Sequence, residues 1–179
     1  VDDNSPDGTG KVVEGLRKKY KNLLVIHRSG KLGLSSAALD GFKRAKGNVI
    51  GLMDADLSHP PEKIGEMYSL IKKGEADFVI GTRYMKGGSI IGWDLKRKIM
   101  SWGATLLAKP FTKARDPMSG FFVIKKNLIE GKELNPKGFK VLLELLIKTK
   151  YKKLGEVPIV FINREKGKSK ASFKEIKFY

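Results

Sequence analysis

Cysteine is absent from this chain, which excludes a disulfide framework and thiolate metal sites and suits a reducing compartment or a hot-living source. Histidine is scarce: His27 and His59 have no partner at metal-ligand spacing, so His27 reads as structural and His59 as part of a helix start, with a place near a metal as the alternative. No apolar run approaches the roughly 20 residues a membrane helix needs, and nothing at the start resembles a signal peptide. Acids are in deficit. Lysine and arginine number 36 against 19 aspartates and glutamates, a net charge of +17. Such a field favours a polyanionic partner: nucleic acid, an anionic membrane surface or a phosphorylated substrate. No aromatic-bearing RNA signature or zinc spacing is present, so nucleic acid is set aside.

What is present suits one globular domain over 1–179, with 41% hydrophobic and 31% charged residues. "VDDNSPDGTG" reads as a strand tip running into a turn, and we expect the strand's body and a helix to be missing before it. Thr9 is placed to cap a helix with Val12, Val13, Leu16 and Tyr20 inward. "LLVIH" (23–27) reads as a buried strand. Leu34, Ala37, Ala38, Leu39, Gly41, Phe42 and Ala45 show the spacing of a helix ending at Gly47. "NVIGLM" (48–53) and "DFVIG" (77–81) are further buried strands. Between them a helix follows Pro60 and Pro61, with Ile64, Met67, Leu70 and Ile71 inward and Gly74 at its end. "KGGSIIGW" reads as a mobile glycine-rich loop, 95–108 and 138–149 as helices, and "GFFVIKK" and "EVPIVFI" (156–162) as strands. The basic C-terminal stretch, with Phe173, Ile176, Phe178 and Tyr179, reads as the start of an amphipathic helix able to lie at a membrane interface, with packing of those residues into the core as the alternative.

Strands alternating with helices predict an α/β fold: a mostly parallel central sheet with helices on both faces. Ligands then bind outside the carboxyl ends of the strands. Asp2/Asp3 and Asp54/Asp56 fall at such ends and are expected on one rim. In "MDADLSHPPE" the acids lie two residues apart, so in an extended segment both carboxylates face one ion. Hard cations such as Mg²⁺ take oxygen ligands and complete their shell with phosphate. A turn aspartate and a helix cap are the structural alternative. Arg83, in "GTRY", follows a strand and is suited to phosphate oxygens. Asp116, in "DPMSGFF", precedes a proline turn. "REKGKSK" (164–170) joins basic residues to a glycine and a serine that let a phosphate approach.

"VDDNSPDGT", "GLSSAALDGF", "MDADLSHPPE", "GTRY", "DPMSGFF" and "REKGKSK" occur in the order seen in polyprenyl-phosphate hexosyltransferases, and the chain most resembles the archaeal dolichyl-phosphate mannose synthases of glycosyltransferase family 2. The resemblance covers nearly the whole chain. It implies a Rossmann-like glycosyltransferase type A sandwich. The implied reaction is inverting transfer of a hexose, mannose from GDP-mannose foremost, to dolichyl or polyprenyl phosphate. Transfer of glucose or N-acetylglucosamine from a UDP-sugar is the alternative within the class. A non-catalytic basic membrane-surface module is the alternative outside it.

Carried over by residue, the resemblance makes Asp2 and Asp3 contacts to the donor nucleoside, with Gly33 and Ser35 lining that pocket. Asp54 and Asp56 become the pair for Mg²⁺ or Mn²⁺ and diphosphate, and Ser58 stands where some members carry a glutamine ligand. Arg83 and Arg97 resemble arginines that meet donor or acceptor phosphate. Asp116 and Ser119 resemble residues of the acceptor mouth, and Arg164, Ser169 and Lys170 a phosphate-gripping loop. Asp56, Arg83 and Asp116 are the expected catalytic set, with Asp116 orienting rather than acting as a base. Members begin with a strand and a P-x-x-N-E segment, and some continue into membrane spans. Neither is in this chain, so the expectation is a weak or inactive enzyme, peripheral at the cytoplasmic face of the membrane, its anchor separate or missing.

Overall fold

A computed structural model describes residues 1–136, 138 and 140–163. Along the described chain the helices are α1 (Thr9–Leu16), α2 (Leu34–Arg44), α3 (Lys63–Lys72), α4 (Leu95–Ala108) and α5 (Val141–Lys148). The strands are β1 (Val49–Leu52), β2 (Phe78–Thr82), β3 (Ser89–Ile91), β4 (Phe122–Lys125), β5 (Leu154–Pro158) and β6 (Val160–Ile162). The main sheet has the order β1-β4-β2-β5, and β3 pairs with β6 in a second, two-stranded sheet.

The strand residues alternate as a two-faced sheet requires. Ile50, Phe78, Ile80, Phe122 and Ile124 pack under Ala38 and Phe42 of α2 and Val141, Leu142, Leu145 and Leu146 of α5. Val79, Val123 and Val157 face the other way, onto Met67 and Ile71 of α3. Phe122 joins the first face edge-on to Phe42 and Phe78, at centroid distances of 6.3 and 5.6 Å. Helices therefore cover both faces, as the alternation predicts. The sheet is parallel in a qualified sense. β1, β2 and β5 share one direction, but β4 lies between β1 and β2 and runs against both. The segment before β4 starts at the carboxyl rim, where Asp116 meets Arg83, so β4 must run back down the sheet.

Several local expectations give way to other structure. Gly8, at φ 80°, takes the cap position of α1, while the Asp7 carboxylate accepts from the Thr9 N–H and hydroxyl at 3.0 and 2.6 Å. Only Gly10 of α1 is buried, and Val12, Leu16 and Tyr20 are exposed. Among the described residues, 23–27 form no ladder beyond a single bridge of His27 to Asp2. The glycine-rich segment is not a free loop: it holds β3, parallel to β6. Gly88 packs so tightly that a Cβ there would stand 2.8 Å from the Thr82 carbonyl oxygen, which only glycine permits. The single strand expected over 156–162 is two. Pro158 ends the pairing with β2, and Ile159 donates to Thr82 O and accepts from Ser89 N, handing the chain to the second sheet.

Short links fix the rim. α2 packs on the sheet and reaches β1 through residues 45–48, and α3 reaches β2 through Gly74, at φ 72°. The amino ends of both helices thus lie at the carboxyl ends of the strands they precede. At the opposite end, Asp77 accepts from Lys125 Nζ at 2.6 Å and from the N–H groups of Lys152 and Lys153 at 3.0 and 3.1 Å, tying together the ends of β2, β4 and β5.

The Lys125 hydrogen bond, aided by those N–H groups against a smaller opposing effect of burial, holds the Asp77 carboxyl below the usual carboxylate range. A carboxyl depressed in the folded state stabilises it above the unfolded pKa and loses that contribution as pH falls through the folded value. Asp77→Asn should therefore lower the melting temperature at pH 7. The gap from wild type should close as the pH is lowered through and below the usual aspartate range, as followed by circular dichroism.

Candidate active site at the carboxyl rim

β1 ends at Leu52, and the chain then bends through Ala55, Asp56 and Leu57. Asp56 therefore projects from a bend, and Asp54 from the residue pair between β1 and that bend, so the two acids do not share the extended segment read in the sequence. Leu57 carries φ 61°, an unusual conformation for a branched apolar residue, and its side chain is exposed. Asp56 Oδ1 accepts from the Ser58 N–H at 3.0 Å, which closes the turn. Ser58 is buried, and its carbonyl accepts from Ile162 N at 3.1 Å, so β6 supports the acidic loop.

His59 is the residue whose role the sequence did not disclose. It is 3% exposed, stacked on Phe121 at 5.3 Å and edge-on to Phe161 at 5.2 Å. Its Nδ1 accepts from the Asp54 N–H at 3.3 Å and stands 3.8 Å from Asp54 Oδ2. Burial, and secondarily the Arg83 charge, push its pKa down to about 4 against the opposing pull of Asp56 and Asp116. At neutral pH the ring is uncharged, with Nδ1 free to accept and the proton on Nε2. Gly120 makes room for this contact, since a Cβ there would meet His59 Cε1 at 3.3 Å and both Asp54 oxygens at 3.6 Å.

Arg83 leaves the end of β2 and turns onto Asp116. Nε and Nη2 each donate to the carboxylate at 2.7 Å, and the Arg83 backbone N–H adds a third bond at 3.1 Å. Asp116 is completely buried and Arg83 nearly so. Burial works against the guanidinium's charge, but the hydrogen bonds and charge of Asp116 outweigh it and raise the Arg83 pKa above its ordinary value. Asp116 thus anchors an arginine and does not line an open mouth. Ser119 is likewise inside: its hydroxyl donates to Gly81 O at 2.7 Å and accepts from Phe121 N at 3.2 Å, holding the turn into β4. Arg97, on the first turn of α4, donates through Nη1 to Asn163 Oδ1 at 3.0 Å and lies over the Trp93 ring at 4.0 Å.

A second cluster gathers at the amino end of α2. Asp3 pairs with Arg28 Nη1 at 2.9 Å and accepts from the Gly33 N–H at 3.2 Å, bringing together residues thirty apart. Gly33 needs its φ of 99° to start the helix. Ser35 is buried, its hydroxyl donating to Gly138 O at 2.6 Å. Asp2 faces inward to its own turn, accepting from Ser5 N at 3.3 Å. The basic loop with Arg164, Ser169 and Lys170 lies outside the described residues, as do Phe173, Ile176, Phe178 and Tyr179.

Among the described residues no group of three or more His, Cys, Asp or Glu side chains could hold a metal alone. Asp54 and Asp56 nevertheless supply hard oxygen donors on one short rim loop. That set fits a cation that takes one or two carboxylates and completes its shell with water and phosphate oxygens.

A sequence model described as Glycosyl transferase family 2 matches residues 1–131. The chain is 47% identical over 180 residues to the dolichol-phosphate mannosyltransferase of Pyrococcus furiosus, covering 98% of this chain and 51% of that protein. It is 42% identical to the protein of that name from Saccharomyces cerevisiae, covering 98% of this chain and 68% of the other. The chain thus spans about half the length of the Pyrococcus relative. Among solved structures, Mycobacterium tuberculosis glucosyl-3-phosphoglycerate synthase with Mn²⁺, UDP-glucose and glycerol 3-phosphate superposes with a TM-score of 0.59 at 16% identity, over 97% of this chain and 61% of that one. The Staphylococcus aureus protein TarS in complex with UDP-GlcNAc matches with the same score at 17% identity, over 93% and 49%. These likenesses bear on the fold and agree with the α/β sandwich described above. The family match covers well over half of the residues, and the chain belongs to glycosyltransferase family 2.

Proposed function

We propose that this chain is the catalytic part of an inverting transferase that moves mannose from GDP-mannose to dolichyl or another polyprenyl phosphate. The observation that carries the reading is the pairing, on one rim, of the Asp54/Asp56 loop with an arginine clamped by a buried aspartate, in a chain 47% identical to a dolichol-phosphate mannosyltransferase. Asp54 and Asp56, with Ser58 closing their turn, would hold Mg²⁺ or Mn²⁺, whose charge would offset that of the departing diphosphate. His59 keeps the Asp54 backbone in place. Asp3, Gly33 and Ser35, with Asp2 behind them, shape the side of the rim where the donor nucleoside would lie.

A phosphate monoester loses its second proton with a pKa of about 6 and is an anionic nucleophile at neutral pH, so it needs no general base. The burial of Asp116 agrees with that chemistry. Its carboxylate is fully engaged by Arg83, so it acts as a positioning residue. Arg83, and Arg97 one helix turn into α4, would then meet phosphate oxygens as preorganised cations.

The same reading needs a lipid surface, and α4 offers one. Leu95, Ile99, Trp102 and Leu106 recur at helix spacing and are 54–72% exposed. Leu107 and Phe111 extend the patch. Lys96, Lys98, Lys109, Lys113 and Arg115 are exposed in the same segment. An apolar stripe bordered by cations on a chain of net charge +17 fits an anionic bilayer, with the stripe in the acyl boundary and the lysines at the headgroups. No helix among the described residues is long and apolar enough to cross a membrane.

Two tests follow from this reading. With GDP-mannose, polyprenyl phosphate and Mg²⁺ or Mn²⁺, label should pass into the organic phase, be abolished by chelator, and fail to pass from UDP-sugars. Asp56→Asn should reduce transfer by about 100-fold or more. Asp116→Asn should retain more activity while losing about 3–5 kcal/mol of stability, because it strands a buried charge. Equal losses in two well-folded variants would count against these roles. Separately, the chain should co-sediment with phosphatidylserine-containing vesicles in a salt-sensitive manner, and Trp102→Glu with Leu106→Glu should weaken partition at least about 10-fold. Unchanged sedimentation would remove α4 as the docking face.

A further inference from the structure

Trp93 sits between β3 and α4, and two guanidinium groups lie against its one ring: Arg83 Cζ is 5.1 Å and Arg97 Cζ 4.0 Å from the centroid. Phe161 abuts the same ring edge-on at 5.3 Å. The position is fixed from both sides. Gly92, at φ 81°, brings the chain so close to Asn163 that a Cβ there would stand 2.9 Å from the Asn163 Cβ, and Asp94 caps α4 by accepting from the Arg97 N–H at 2.7 Å. Within this framework the indole nitrogen Nε1 is buried and, among the described residues, has no hydrogen-bond partner. A buried indole N–H ordinarily finds an acceptor, and an orphan in a native structure calls for an explanation.

The chemistry of the surroundings supplies one. Guanidinium and indole N–H groups donate and cannot accept. Asp116 takes Nε and Nη2 of Arg83, and among the described residues Nη1 makes no hydrogen bond. A ring that gathers two cations, and whose own donor is unanswered, is built for an oxygen-rich anion. We propose that Trp93 is a phosphate-binding residue: its Nε1–H donates to an oxygen of a phosphate held between Arg83 and Arg97, while its ring fixes the spacing of the two arginines. This rests on the reading that those arginines meet phosphate. The phosphate is that of the lipid acceptor or of the donor diphosphate, and the two share the chemistry.

The two roles of the ring separate by substitution. Trp93→Phe keeps a flat ring for the arginines and removes the donor, whereas Trp93→Leu removes both. Binding is measured on the full chain by calorimetry with two probes, geranyl phosphate and GDP with Mg²⁺. For the probe whose phosphate occupies the seat, Trp93→Phe should weaken binding about 10-fold or more, the loss expected for a hydrogen bond to a charged group. Trp93→Leu should weaken it further, and the other probe should be little affected. In a Trp102→Phe background, where Trp93 is the remaining tryptophan, the same probe should shift the indole emission saturably. That readout stands even where a Trp93 variant fails to fold. Wild-type affinity for both probes in folded Trp93→Phe, or an emission that neither probe moves, overturns the proposal. Unaltered binding of both probes by Arg83→Lys and Arg97→Ala would instead overturn the phosphate-binding role of the arginines, and the proposal with it.

Discussion

The rim is organised around one buried ion pair. A guanidinium cannot shed its proton inside a protein, so burying Arg83 requires a counter-charge in a fixed place. Taking two such ions out of water costs several kcal/mol each, and only good geometry recovers it. Asp116 provides that geometry, with two side-chain bonds at 2.7 Å and a third to the Arg83 backbone. The pair is therefore better understood as a device for position than as a source of stability. It fixes the end of β2 to the segment that feeds β4, and the antiparallel insertion of β4 follows from where that segment begins.

Other features settle around the same cation. Tyr84, Trp93 and Phe161 present rings to Arg83 at 5.1–5.8 Å, so the charge is answered by aromatic faces as well as by the carboxylate. Its field also helps keep His59 neutral. A neutral ring can accept the Asp54 N–H through Nδ1, and a charged one could not. The acidic loop thus owes part of its conformation to an arginine on a different strand.

The two-faced sheet and most of its helices were legible because their signals are local. Val79 and Val123 alternate with Phe78, Ile80, Phe122 and Ile124, and Met67 and Ile71 recur at helix spacing. Candidate site residues were legible as types at strand ends. Their company was not. Nothing in "DPMSGFF" says that Asp116 is completely buried against Arg83, because ion pairing across 33 positions is a property of topology. Residues 23–27 are apolar enough for a strand, but among the described residues they form only one bridge, and pairing is not written in apolar content. His59 lies within "MDADLSHPPE", but its burial comes from Phe121 and Phe161, which are distant in sequence. Trp93 was equally silent, since a buried orphan N–H exists only once the chain is folded around it.

The two halves of the site share a support that neither half suggests alone. Ile162 of β6 donates to Ser58 O beneath the acidic loop, and the next residue, Asn163, accepts from Arg97 and donates to Ile91 O of β3. Between Val160 and Ile162, Phe161 packs against both His59 and Trp93. Three consecutive residues thus touch the carboxylate loop on one side and the arginine cluster on the other. On the function proposed here, a cation at Asp54 and Asp56 and a phosphate at Arg83 and Arg97 would have to be kept at a set separation for diphosphate departure and phosphate attack to be concerted. A three-residue strand buried at its centre is well suited to that task, because backbone hydrogen bonds at both ends leave it little freedom to slide. The break at Pro158 and Ile159 gains a meaning from this. By leaving the main sheet there, the chain places β6 across the rim instead of extending β5, and the rim acquires a floor that joins its acidic loop to its arginine cluster.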